Sequence, residues 1–180
     1  MESSQLSLVK LVDKTQLKPF DCGDETLNTF LTDKALAYHE SHLATTYILQ
    51  QGQQLIAYFS IFCDCLRLQP EDFPTRSAYK KFLSEVLVYP KRHLKELPAI
   101  KIGRLAVSKD LQAAGMGRRI IEYVMAMAME QNTICACKLV TVDAYRESIP
   151  FYERLGFNFA SQTDTNSRTR IMFFDLAPDQ

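Results

Sequence analysis

The stretch Ile100 to Arg119, IKIGRLAVSKDLQAAGMGRR, runs from a short apolar strand through a glycine-bearing loop into a long amphipathic helix. Ile100, Ile102, Leu105 and Val107 supply the apolar strand positions, and Ser108, Lys109 and Asp110 the polar turn after them. Ile120, Ile121, Val124 and Ala128 then recur at helical spacing. Gly115 and Gly117 stand where the first helical turn begins; without Cβ atoms they allow φ > 0 and close approach of a ligand to the backbone. Amides there have no helical acceptors and sit at the positive end of the macrodipole, so the terminus is built for an anion. Each charge-assisted hydrogen bond to it contributes roughly 1.5–3 kcal/mol.

Two common phosphate motifs fail on the neighbouring residues. A Walker loop needs Lys and Ser/Thr after its last glycine, and Gly117 is followed by Arg118 and Arg119. A dinucleotide fingerprint needs a third glycine for helix–sheet packing, where this chain has Ile120. Gln112-Ala113-Ala114-Gly115-Met116-Gly117 instead resembles the Gln/Arg-x-x-Gly-x-Gly/Ala pyrophosphate loop of the GNAT superfamily of acetyl-CoA-dependent N-acetyltransferases. Arg104-Leu105-Ala106-Val107 resembles that family's fourth strand, and Phe151-Tyr152-Glu153-Arg154-Leu155-Gly156-Phe157 its later Tyr-x-x-x-Gly-Phe element, in the same order and at similar separation.

With 180 residues, 47% of them hydrophobic, the chain suffices for one domain with a substantial core. We therefore expect a single domain over 1–180, with an excursion at 68–98 marked by Pro70, Pro74, Pro90 and Pro98. Lys+Arg and Asp+Glu number 21 each, so no net charge draws the protein toward nucleic acid or membrane. No apolar run reaches transmembrane length, and MESSQLSLVKLVDK has no leader-like apolar segment, so cytoplasmic residence without membrane partners is expected. Five cysteines, an odd number, argue against a disulfide framework. Cys63-x-Cys65 and Cys135-x-Cys137 allow a four-thiolate zinc site if two strands meet, but small core residues fit the spacing better and no metal is expected.

In chain order, Leu6 to Val12 reads as a strand, and Asp24 as the cap of a helix through Leu27, Phe30 and Leu31 toward Tyr38. Residues 44–50 and 55–66 form a hairpin, Ser77 to Val88 a helix, and Lys138 to Asp143 a strand. A short helix tolerates Pro150 in its first turn and ends at Leu155-Gly156, where glycine suits a left-handed cap. Residues 157–160 and 170–176 close the chain as strands.

This order is similar to the GNAT α+β arrangement: a mixed, mostly antiparallel sheet with helices on both faces and splayed fourth and fifth strands. The resemblance implies that pantetheine pairs with the backbone of Leu105, Ala106 and Val107. It also implies that phosphates meet amides around Gln112, Ala113, Ala114, Gly115, Met116, Gly117 and Arg118. Tyr152 takes the place of the acid that protonates the departing thiolate once an amine has attacked the thioester. Where the family commonly has Asn and Ala, seven and four residues before that tyrosine, this chain has Tyr145 and Ser148; Ser148 is either a pantetheine contact or a plain cap. Asp64, Glu71, Glu85 and His93 are titratable groups near the expected acceptor side, and none is assigned as base.

Phe20-x-Cys22-Gly23-x-x-x-Leu27-Asn28-x-Phe30-Leu31, with Gly103-Arg104-Leu105-Ala106-Val107, is similar to the GNAT toxins of bacterial toxin–antitoxin pairs. That resemblance implies aminoacyl-tRNA as acceptor and an antitoxin as partner. Lys80, Lys81, Lys91, Arg92, His93, Lys95, Lys101 and Arg104 would then have to form a local positive rim, since the net charge offers none. A small-molecule or protein amine is the other acceptor class, and an acyl-CoA-binding sensor without turnover a third reading. A homodimer stays open in each.

Overall fold

A computed structural model describes residues 5–89 and 96–177. Its strands are β1 (Leu6–Lys10), β2 (Thr45–Gln51), β3 (Gln54–Arg67), β4 (Glu96–Val107), β5 (Leu139–Tyr145), β6 (Asn158–Phe159) and β7 (Thr169–Asp175). Its helices are α1 (Glu25–Thr29), α2 (Ala35–Glu40), α3 (Arg76–Val86), α4 (Met116–Gln131) and α5 (Ile149–Arg154). The seven strands follow the order β1-β2-β3-β4-β5-β7-β6. Antiparallel ladders join β1 with β2, β2 with β3, β5 with β7 and β6 with β7. β4 and β5 run parallel, as a strand–helix–strand crossover through α4 requires. This is the expected α+β class with a mostly antiparallel sheet.

The chain divides into two compact units, one comprising Met1–Phe62 and Ile102–Val124, the other Cys63–Lys101 and Met125–Gln180. In the first, Leu11, Phe30, Leu31, Ala35, Ile48, Leu55, Tyr58 and Ala106 make one buried cluster, with Val9, Leu17, Phe20 and Leu27 against it. Tyr58 is its keystone. The ring meets Phe20 edge-on at 5.6 Å and stacks on Phe30 at 6.3 Å, while the hydroxyl donates to the Leu27 carbonyl at 2.7 Å. Desolvation pushes that phenol far above its ordinary pKa, so it stays a donor.

The helix expected from Asp24 to Tyr38 is interrupted. Asp24 caps α1 as read, accepting from the amides of Thr26 and Leu27 at 2.8 and 3.3 Å. A π turn over Phe30–Lys34 then separates α1 from α2, and the Ala35 amide reaches back to the Phe30 carbonyl. The extra residue brings Phe30, Leu31 and Ala35 together into the core.

In the second unit, Leu66, Leu68, Leu83, Val86, Leu97, Ala99, Leu139, Ala160 and Phe173 form the core. The 68–98 segment thus contributes core residues through α3, whose cap Thr75 accepts from the Ala78 amide. Pro90, Lys91, Arg92, His93 and Lys95 lie outside the described residues. Pro98, read from sequence as loop punctuation, falls inside β4, which begins at Glu96. Its carbonyl takes part in the pairing there, accepting from the Lys138 amide at 2.9 Å. Pro150 occupies the first turn of α5 as expected, and Gly156 after that helix has φ 86°. A Cβ at Gly156 would stand 3.3 Å from the Phe174 ring, so Gly156→Ala should cost about 1–2 kcal/mol in urea unfolding with an unchanged slope.

Candidate active site

The loop after β4 is held from both sides within its unit. The side-chain amide of Gln112 donates to the Cys22 carbonyl at 2.8 Å and to the Val107 carbonyl at 3.2 Å. Lys109 Nζ lies 2.7 Å from Asp21 Oδ2, and its backbone amide donates to the Asp21 carbonyl at 2.9 Å. Asp21 Oδ1 in turn accepts from the Gly23 amide at 2.8 Å and from Asn28 Nδ2 at 3.0 Å. Hydrogen bonds from Lys109, Gly23 and Asn28, in that order, hold the Asp21 carboxyl down at about 2. Asn28 Oδ1 accepts from the Cys22 amide at 3.0 Å. The motif at 20–31 therefore braces the loop, a role the linear sequence does not display.

The brace holds an unusual backbone. Ala113 has φ 67° and Gly115 φ 78°. Glycine adopts that region freely, whereas alanine pays about 1–2 kcal/mol, so the surroundings must impose it. The amides of Ala113, Gly115, Met116, Gly117 and Arg118 make no hydrogen bond to another described residue; the Arg119 amide is the first to turn back, to Gly115 O at 3.2 Å. A Cβ built on Gly115 meets nothing described within 4 Å. Amides without a partner among the described residues, at the start of the 16-residue α4, are of the kind that can receive an anion. Arg118 is turned along the helix to Glu122 at 2.8 Å, leaving its amide as its contribution. Of the strand positions, Ala106 is buried, and Leu105 and Val107 are half-buried.

Tyr152 belongs to the second unit. It is 6% exposed on α5, with Phe151 and Phe157 edge-on at 5.0 and 5.3 Å. Its hydroxyl bonds to no described residue and is not a sealed polar atom. Burial alone pushes its pKa up to about 12. Ser148 caps α5 by position, but its hydroxyl makes no capping bond, so the plain-cap reading is not supported. Tyr145 ends β5 with the Arg168 guanidinium 5.6 Å above its ring.

Lys101 corrects an expectation. Its ammonium lies 2.8 Å from Asp143 and 4.0 Å from Asp64, whose carboxylate also accepts from Thr141 Oγ1 at 3.2 Å. A lysine paired in this way is not free for a phosphate rim. Lys80 and Lys81 are exposed on α3, Lys81 facing Glu85 at 4.0 Å, and Glu71 is exposed. Cys63, Cys65 and Cys135 are exposed while Cys137 is buried, and no group of three ligands fit for a metal occurs among the described residues.

Residues 93–175 match the model for the acetyltransferase (GNAT) domain. Over these residues the chain resembles a GNAT acetyltransferase domain. Its fold is shared along nearly the whole length with solved structures. A Tyr-to-Phe variant of KacT aligns over 96% of this chain and 95% of that one, with TM-score 0.72 and 25% identity. AtaT complexed with acetyl-methionyl-tRNAfMet aligns over 95% of each chain, with TM-score 0.72 and 24% identity. AtaTR bound with acetyl-CoA aligns over 98% of this chain and 95% of that chain, with TM-score 0.73 and 24% identity. No helix among the described residues is long and apolar enough to cross a membrane.

Because Gln112 ties the loop to Cys22 and Val107, Gln112→Ala should lower unfolding free energy by about 1 kcal/mol and weaken acetyl-CoA binding on the order of tenfold by calorimetry. Unchanged affinity would show that the loop keeps its shape without this brace.

Proposed function

We propose that this acetyltransferase transfers the acetyl group of acetyl-CoA directly to the α-amino group of an aminoacyl-tRNA, in a ternary complex, in the manner of a toxin with a cognate antitoxin. The observation that carries the acceptor choice is the weld between the N-terminal motif and the cofactor loop. Cys22 and Asp21, from the segment similar to the toxin-type acetyltransferases, hold Gln112 and Lys109 directly. The full-length likeness to KacT and AtaT supports the same reading. A small or protein amine is the alternative, favoured by equal numbers of acidic and basic residues.

Within this proposal the amides of Gln112 to Arg118 bind the pyrophosphate of acetyl-CoA, and the strand Leu105 to Val107 lines up pantetheine. Ser148 is a further candidate contact. The acceptor nitrogen attacks neutral, its lone pair forming the C–N bond while the C–S bond breaks. Tyr152 donates its proton to the sulfur, and the surplus amine proton leaves to water. Burial that raises the phenol penalises a thiolate in the same surroundings as well, which keeps the transfer feasible although free thiols are near ~8.5.

Tyr152→Phe should therefore lower kcat by roughly 10²-fold while leaving acetyl-CoA affinity nearly intact, since the hydroxyl acts only in the transition state. The acid form persists below its folded pKa of about 12 and is lost only as pH rises through it. The wild-type profile should accordingly show no alkaline loss attributable to Tyr152 up to pH ~10. An alkaline limb in that range that vanishes in Tyr152→Phe would refute the pKa, and wild-type turnover in the variant would reduce Tyr152 to packing.

The acceptor assignment is tested by thiol release with aminoacyl-tRNAs against a panel of small amines, with and without added salt. Steep salt inhibition confined to the tRNA substrates is expected. Gly117→Glu should abolish both the activity and the thermal stabilisation by acetyl-CoA, because a carboxylate would occupy the pyrophosphate site. Efficient, salt-insensitive turnover of small amines alone would decide for the alternative.

A further inference from the structure

Resting on the aminoacyl-tRNA reading, we propose that Arg104 is a preformed phosphate clamp for the acceptor RNA, seated by the π turn. Arg104 is exposed on β4, and its guanidinium lies 5.0 Å above the Phe30 ring. Nη1 donates to the neighbouring Gly103 carbonyl at 2.6 Å. Stacking and this bond fix the planar fork before any ligand arrives, which lowers the entropy lost on binding. No carboxylate among the described residues pairs with it, whereas Lys101, three positions earlier, is neutralised by Asp143. An oriented, uncompensated guanidinium is suited to bidentate capture of a phosphate.

Two features of the fold serve this placement. The π turn carries Phe30, which is 5% exposed, so that its ring stacks on Tyr58 and also supports Arg104. The neighbouring Gly103, whose carbonyl takes the Arg104 bond, has no Cβ, and one there would lie 2.8 Å from the Phe62 ring. The phosphate has two chemical sources, the RNA backbone and the cofactor. The RNA is favoured because the cofactor's pyrophosphate already has the amides of the loop. Moreover, Arg104 rests on the helical segment of the toxin-like motif, and its guanidinium's only hydrogen bond among the described residues is to the Gly103 carbonyl, not to that loop.

The test measures steady-state kinetics of Arg104→Ala and Arg104→Lys with methionyl-tRNA, with methionyl-adenosine, which has no phosphate, and with varied acetyl-CoA. Arg104→Ala should raise KM for methionyl-tRNA on the order of tenfold, several times more than KM for methionyl-adenosine or acetyl-CoA. It should also reduce the slope of log KM against log salt by about one. Arg104→Lys should keep most of the salt slope but not the affinity, because the charge stays while the fork is lost. Equal KM and slope for methionyl-tRNA in Arg104→Ala and wild type, at unchanged melting temperature, would overturn the clamp. A KM rise confined to acetyl-CoA would overturn it in favour of the cofactor's phosphates. Wild-type turnover of small amines with none on a panel of aminoacyl-tRNAs would overturn the acceptor assignment, and this inference with it.

Discussion

The backbone of Gln112 to Arg118 is the constraint on which the first unit depends. Amides with no partner among the described residues are tolerable only where water or an anion satisfies them, and an alanine at φ 67° persists only where its neighbours enforce it. The enforcement is polar and local to one unit: Gln112 to the carbonyls of Cys22 and Val107, Lys109 to Asp21, Asn28 to Cys22 and Asp21. A loop held in this way would receive an anion with little reorganisation, the condition under which preoriented dipoles work best.

The catalytic proposal on Tyr152 draws on a different physical effect. Here burial does the tuning, with aromatic neighbours and no charged partner to lower the pKa. A hydroxyl whose pKa is raised in this way would act as a donor rather than a base. Asp21 shows the opposite arrangement, an exposed carboxyl held ionised by three donors. That group braces the loop; the phenol is left for chemistry.

Charge distribution shapes the acceptor argument in the same way. A chain with 21 basic and 21 acidic residues has no long-range pull on RNA, so individual cations must be freed and aimed. Lys101 is tied to two aspartates and Arg104 is not, although both sit on β4. Their types and positions look equivalent on paper, and only their neighbours separate them.

Short-range patterns in the sequence determined much of this protein. The glycine loop, the caps at Asp24 and Gly156, the first-turn proline and the order of strands and helices all arise from interactions within a few residues, and they stand where the sequence places them. The π turn escaped because inserting one residue leaves the apolar spacing nearly helical; packing of Phe30 against Tyr58 selects it. Pro98 misled because its penalty depends on whether its missing donor faces a partner strand. The tie from Gln112 to Cys22 spans 90 positions and that from Lys109 to Asp21 spans 88. The pairing of Lys101 and the seat of Arg104 on Phe30 are likewise contacts between segments far apart in the chain. Which of many polar side chains meet across such separations is set by strand pairing and helix docking, and so was decided by the tertiary structure alone.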